Sequence, residues 1–332
     1  MRMLRLHLGR DAIKRQGRVA PTKGACMGAL PTHQGANGMD TLTRGLAEFI
    51  NLSAKGAVHI GLLGRGIGAS LSPVMHRREG QRQGLDYHYH LIDFDALGLG
   101  DHDLGDVVAL LERVGFAGLN ITHPFKQSIL SHLSALSPQA EAIGAVNTVI
   151  FSSDGRKGHN TDCWGFAESF RLGLPDVSRR RVLQMGAGGA GAAVAHALLE
   201  VGVSELDIFD VEGARAAALA EQISSLGKSA KAVSSPLVAL AGADGVVNAT
   251  PIGMTKYPGY PIDPEALSPR QWVADIIYFP RITPLIEVAS ARGCATLPGS
   301  GMAIFQAVRA FELFTGRAPS RDDMARTFEA AA

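Results

Sequence analysis

Lys126 and Asp162 form the one lysine–carboxylate pair near the polar strand ends of this chain that suits proton transfer. Oxidising a secondary alcohol needs a base that takes the hydroxyl proton as hydride leaves, and the reverse reduction needs the matching acid. Taken alone, Lys126 reads as a solvated surface lysine. Its place directly after Thr122-His123-Pro124-Phe125, where an apolar run ends, favours the chemical reading. Polar side chains recur at such ends: Asn120 and Thr122 before Pro124, Asn147 and Thr148 after Gly144-Ala145-Val146, and Asn160 and Thr161 beside Asp162. A solvent-facing turn accounts for one such cluster. Three, each tied to an apolar run, describe the rim of one polar pocket suited to a ligand with several hydroxyls.

A second chemistry resides in Gly186-Ala187-Gly188-Gly189-Ala190-Gly191. The spacing fits a loop between a strand and a helix, with Gly186 for a sharp turn, Gly188 for close approach of a pyrophosphate, and Gly191 for tight helix–sheet packing. Unpaired N–H groups at the helix start attract the diphosphate. Asp210 closes the next strand at the spacing expected for a contact to the adenosine ribose. Its carboxylate accepts two ribose hydroxyls but repels an added 2′-phosphate, which favours NAD over NADP. Arg215 is near enough in sequence to reach across such a phosphate, and Asp210 also reads as a cap on the following helix.

The elements that must hold these groups alternate. Val58–Gly64 reads as a buried strand, and Ser72-Pro73 starts a helix through Gln83 with Ser72 as cap and Pro73 in the first turn. Tyr87–Ile92, Gly118–Thr122 and Asn147–Phe151 read as strands, with a hairpin turn at Asp154-Gly155. After the polar break 175–180 come a strand at Arg181–Met185, a helix at Ala190–Val201, and strands ending at Phe209, Ala249 and Ile276. The expected fold is α/β: a substrate-binding domain at 42–162 completed by C-terminal helices within 301–330, a Rossmann domain at 180–300, and a cleft between them. A short helix at Leu42–Leu52 leads into the body. Residues 1–41 are basic, lack clear periodicity, and read as a poorly ordered extension, with contact to nucleic acid or an anionic membrane the less favoured alternative.

Composition narrows the classes. A net charge of +1 gives no global pull toward a polyanion. Cys26, Cys163 and Cys294 form no CxxC pair, and the 11 histidines fall into no zinc-ligand spacing, so a metal-free protein of the reducing cytoplasm is expected. No apolar run approaches the roughly 20 residues of a membrane helix.

Together these segments resemble the shikimate dehydrogenase family, in particular its NAD-dependent quinate/shikimate dehydrogenase branch. The motifs are Ser70-Leu71-Ser72-Pro73, Gly118 through Lys126, Gly144 through Thr148, Gly158 through Asp162, Gly186 through Gly191, Asn248 through Met254, and Gly299 through Gln306. The resemblance implies that Lys126 and Asp162 are the catalytic pair and that Ser70 and Ser72 hold a substrate carboxylate. It assigns Asn120, Thr122, Asn147 and Gln306 to ring hydroxyls and Tyr278 to the substrate side. Thr250, Met254 and Gly301 would lie beside the nicotinamide half. The implied reaction is reversible oxidation of shikimate to 3-dehydroshikimate and of quinate to 3-dehydroquinate, by a monomer or homodimer with small-molecule partners only. Asp210-Val211-Glu212 replaces the basic and hydroxyl pair of many NADP-using members, and His123 replaces their aliphatic residue, as in the quinate-active branch. Ser72 departs from that branch, where threonine is common. The rival readings are an NADP-dependent biosynthetic shikimate dehydrogenase, an NAD-dependent dehydrogenase of another hydroxylated ring acid, and a non-catalytic dinucleotide sensor.

Overall fold

The structure, a computed structural model, describes residues 38–40, 42–44 and 56–332. Two six-stranded sheets organise the chain, each built where an apolar run of strand length meets a glycine or polar turn. The first has the order β2 (Tyr87–Asp93), β1 (Val58–Gly64), β3 (Gly118–Ile121), β5 (Thr148–Ser152), β6 (Gly155–His159), β4 (Ala135–Leu136). β1 pairs in parallel with β2 and β3, and the β5–β6 hairpin joins β3 antiparallel. The second has the order β12 (Ala295–Leu297), β11 (Trp272–Asp275), β10 (Gly245–Asn248), β7 (Arg181–Met185), β8 (Glu205–Phe209), β9 (Ser229–Ala232), all parallel. That is the doubly wound order of dinucleotide-binding sheets, whose ligand crevice opens where the strand order reverses, here between β7 and β10. In the first sheet the corresponding reversal lies between β1 and β3.

Helix α1 (Ser72–Arg82) follows β1, but Ser72 does not cap it. Leu71 holds the cap position, Ser72 and Pro73 lie in the first turn, and the Ser70 hydroxyl accepts the Ser72 N–H at 3.3 Å. Proline at the second helical position displaces the cap by one residue, which leaves the Ser72 side chain free for other partners. Helices α2 (Phe94–Leu97), α3 (Leu104–Arg113) and α4 (Pro138–Ile143) complete the first half. Residues 38–40, at the end of the stretch read as a poorly ordered extension, are helical, as are 42–44 with Leu42 buried; the rest of that extension and of the expected 42–52 helix lies outside the described residues.

One long helix was absent from the sequence reading, which left 163–174 unassigned. α5 (Thr161–Gly173) is capped by the Asn160 side chain and buries Phe166 and Phe170 at the i, i+4 spacing of a packed stripe. It lies against α6 (Gly189–Glu200), which is apolar on nearly every side because sheet and α5 cover it. Then come α7 (Gly213–Ser225), α8 (Pro236–Ala241), α9 (Pro284–Ala291), α10 (Ser300–Thr315) and α11 (Arg321–Ala331). α10 returns to the first sheet, with Phe311 buried among Ile60, Tyr87 and Tyr89. α10 crosses α5 at backbone distance: a β-carbon on Gly165 would stand 2.7 Å from the Gln306 nitrogen, and one on Gly301 2.2 Å from the Ser169 hydroxyl. The two glycines permit the crossing, and the crossing sets where Asp162 begins its helix.

Candidate active site

Lys126 Nζ donates to Asp162 Oδ2 at 2.5 Å, although 36 residues separate the two in the chain. Each is held by its own anchor. Phe125, fully buried against Phe94 with ring centroids 4.6 Å apart, fixes the turn after β3, and the Lys126 carbonyl accepts the Val146 N–H at 2.8 Å. Asp162 sits in the first turn of α5, where unpaired N–H groups favour a carboxylate. The Lys126 side chain is 18% exposed and that of Asp162 8%, so the pair is open to a small ligand yet largely shielded.

The three polar clusters of the sequence do converge. Asn120 Nδ2 donates to Thr148 Oγ1 at 3.0 Å, Asn147 Nδ2 donates to Thr161 Oγ1 at 2.9 Å, and the Thr161 N–H donates to Asn147 Oδ1 at 2.7 Å. Asn120, Asn147, Thr148 and Thr161 are buried, and the last abuts Asp162. Asn160 does not belong to this rim. Its side chain turns away to accept the Cys163 N–H and donate to the Ala145 carbonyl, which is the work of a helix cap. Thr122 is half-buried, with its N–H on the Leu63 carbonyl and its methyl against Gly64. Tyr278 packs edge-on to Phe328 with ring centroids 6.2 Å apart: burial raises its pKa, and the nearby Asp162 charge raises it further. Gln306 is half-buried and donates to the Ala303 carbonyl of its own helix, one turn along the α5–α10 crossing from Asp162.

Across the cleft stands the glycine loop. Gly186 has φ +99°, and a β-carbon there would press on the Ala249 carbonyl at 2.7 Å; one on Gly191 would meet the Gly186 oxygen at 2.3 Å. One on Gly188 would meet nothing within 4 Å. Two glycines are thus required by the turn and by packing, while the third faces open space at the start of α6, a cradle that fits a diphosphate. Gly189 lies beside Lys126: a β-carbon there would stand 3.5 Å from the Lys126 β-carbon. Ala187 and Ala190 complete the loop; the Ala187 N–H donates to Asp210 Oδ2 at 2.8 Å. The second Asp210 oxygen accepts the Glu212 N–H at 2.9 Å, so Asp210 ties β8 to the loop and closes its own turn, while Glu212 holds the cap position of α7. Arg215 is engaged by Glu212 at 2.9 Å.

On the other side of the crevice, Asn248 Oδ1 accepts from the Thr250 hydroxyl at 2.7 Å, and Asn248 Nδ2 donates to Asp275 at 3.1 Å. Thr283 and the Ile277 N–H also donate to Asp275, so the network ties the Thr250 loop to the Tyr278 loop. Burial pushes the Asp275 carboxyl up to about 6 against those three hydrogen bonds. The Thr250 methyl borders Gly186, and Met254 is 38% exposed beyond it. Gly301, assigned by resemblance to the nicotinamide side, owes its lack of a side chain to Ser169 and the helix crossing.

Two contributors went unread in the sequence. Gln184, fully buried, donates to both the Gly186 and the Gly191 carbonyls at 2.8 Å and clamps the ends of the glycine loop together. A lone amide inside the apolar strand Val182-Leu183-Gln184-Met185 was the available signal. Replacing Gln184 by leucine removes two buried bonds worth together about 1–3 kcal/mol; the expected result is a KM for the dinucleotide raised roughly tenfold with turnover little changed, measured by steady-state titration of the cofactor. The other is Tyr89, whose hydroxyl donates to Asn120 Oδ1 at 2.8 Å. Among the described residues no group of histidines, cysteines or carboxylates is placed to hold a metal ion, and no helix is long and apolar enough to cross a membrane.

A Rossmann-like sheet facing a second α/β sheet across such a cleft defines a two-lobed oxidoreductase. Its family follows from comparison with known proteins. The description "Shikimate dehydrogenase substrate binding domain" matches residues 62–149, and "Shikimate 5'-dehydrogenase C-terminal domain" matches 299–327. The chain is 55% identical over 264 residues to a shikimate dehydrogenase (NADP(+)) of Streptomyces avermitilis, covering 78% of this chain and 91% of that one. It is 45% identical over 280 residues to a quinate/shikimate dehydrogenase (NAD(+)) of Corynebacterium efficiens, covering 82% and 98%. The quinate dehydrogenase of Corynebacterium glutamicum in complex with NAD superposes with a TM-score of 0.77 at 43% identity, covering 82% and 99%. The chain belongs to the shikimate dehydrogenase family.

Proposed function

We propose that the protein catalyses reversible NAD-dependent oxidation of quinate, shikimate or both to the 3-dehydro acids, with Lys126 and Asp162 moving the hydroxyl proton. The observation that carries this reading is the contact of Gly189 with Lys126: the proton-transferring pair and the glycine cradle face the same gap. The bound nicotinamide supplies the hydride acceptor. Lys126, oriented by Asp162, takes the proton from the reacting hydroxyl and returns it in reduction. Ser70 and Ser72 hold the carboxylate, while Asn120, Thr122, Asn147, Tyr278 and Gln306 read the ring. Gly186 through Gly191 with Thr250 and Met254 hold the dinucleotide. In this reading the first sheet and the C-terminal helices carry the acid, and the second sheet carries the cofactor.

For NAD over NADP, the support is electrostatic. A 2′-phosphate brought to the Asp210 end of the glycine loop meets the carboxylates of Asp210 and Glu212, and Arg215 is already paired with Glu212. The competing reading, NADP, is favoured by the name of the Streptomyces avermitilis relative. Steady-state rates with quinate and shikimate, each with NAD and NADP, decide. The expected outcome is turnover of at least one acid with NAD, at a kcat/KM roughly tenfold or more above that with NADP, a ratio equivalent to about 1.4 kcal/mol. Equal efficiency with the two cofactors would remove Asp210 from that role.

A further inference from the structure

Tyr89 belongs to none of the motifs that carry the reacting site, yet it reaches into its floor. It lies on β2, where it pairs with Ile60 of β1, and Asn120 lies on β3 beyond β1. The phenol therefore extends over a whole strand to place its hydroxyl 2.8 Å from Asn120 Oδ1. The Ser72 side chain and the Tyr278 phenol lie near the same hydroxyl. The ring is 4% exposed and packs on His76 with centroids 4.7 Å apart, which leaves it little freedom to swing.

Donor and acceptor inventory fixes the roles. Asn120 Nδ2 faces Thr148 Oγ1 at 3.0 Å and the Asn147 carbonyl at 3.3 Å. A carbonyl only accepts, so the amide NH2 must point there and Oδ1 must point at Tyr89, whose hydroxyl then donates. Both amide protons are spent. What Asn120 retains is one lone pair on Oδ1.

We propose that Tyr89 is a positioning residue for substrate recognition: its hydroxyl holds Asn120 so that it meets the substrate as an acceptor, selecting a ring hydroxyl able to donate. This rests on the proposed assignment of Asn120 to the ring. Such contacts are made alike in ground and transition states, so their loss falls on KM rather than kcat.

The test is Tyr89→Phe, which keeps the ring in its aromatic packing, alongside Asn120→Ala and the double variant, with NAD and whichever acid the wild type oxidises. The expected result is a KM for the acid raised about 5- to 10-fold in Tyr89→Phe, with kcat within twofold and the KM for NAD unchanged. Because Tyr89 acts through Asn120, the double variant should be no worse than Asn120→Ala alone, whereas a general structural role would make the two effects multiply. An unchanged KM in Tyr89→Phe beside an impaired Asn120→Ala overturns the role of Tyr89 and leaves the pocket standing. An unchanged KM in both overturns the Tyr89 role together with the assignment of Asn120.

Discussion

Lys126→Ala is expected to lower turnover by roughly 10²–10⁴, the range a positioned acid–base group contributes, while dissociation of NAD from the enzyme stays within about twofold. The asymmetry follows from the geometry. The Lys126 amine is directed at Asp162, and only its hydrocarbon stem borders Gly189. The glycine cradle is built by Gln184, Ala249 and Asp210, none of which relies on Lys126. On the proposed assignment, truncation removes the proton carrier and leaves the glycine loop intact. Turnover by stopped-flow absorbance and NAD affinity by fluorescence titration separate the two quantities. Turnover unchanged in the variant would exclude Lys126 from the chemistry, and the non-catalytic sensor would return as the better reading.

The second large effect is on stability in acid. His76 is fully buried on the inner face of α1, its Nδ1 is 3.0 Å from the Tyr87 hydroxyl, and its Nε2 has no hydrogen-bond partner among the described residues. Burial lowers its pKa from 6.5 to about 3. A histidine depressed in the folded state stabilises the fold fully above its unfolded pKa and loses that contribution as pH falls from 6.5 toward 3. At 1.36 kcal/mol per unit, His76 alone withdraws ~3 kcal/mol between pH 7 and pH 4. His90, also pushed down to about 3 by burial and its histidine neighbours, acts in the same direction. Asp275 acts oppositely: its raised pKa adds stability as pH falls from about 6 toward 3.8. Urea unfolding of wild type and His76→Phe across pH 7 to 4 isolates the one group. His76→Phe loses the Tyr87 bond at every pH, so the variant is expected to be less stable at pH 7 and to regain ~3 kcal/mol relative to wild type by pH 4. Parallel curves would mean that His76 takes up its proton without cost.

The glycine spacing 186, 188, 191 followed by Asp210 was readable in order because the positive φ at Gly186 and the tight packing at Gly191 are demands of local backbone that glycine meets, while Gly188 keeps the loop open to approach. The strands that carry the site were readable for a similar reason: each is a short apolar run stopped by a polar or glycine residue. Long-range partners were not readable in this way. Asn160 and Thr161 are adjacent and chemically alike, yet one caps a helix and the other faces Asn147; α5, whose start separates those fates, was itself missed. Gly301 carried the same ambiguity, since a glycine that admits a ligand and one that admits a crossing helix are identical until Ser169 is seen beside it. Residue type and spacing determined that this chain has a glycine turn between a strand and a helix, a lysine and an aspartate beside strand ends, and polar side chains clustered at those ends. Only tertiary packing decided that Tyr89 reaches Asn120 and that Gln184 bridges the glycine loop, because a side chain reaching across a strand, or bridging two carbonyls, leaves no periodic trace along the chain.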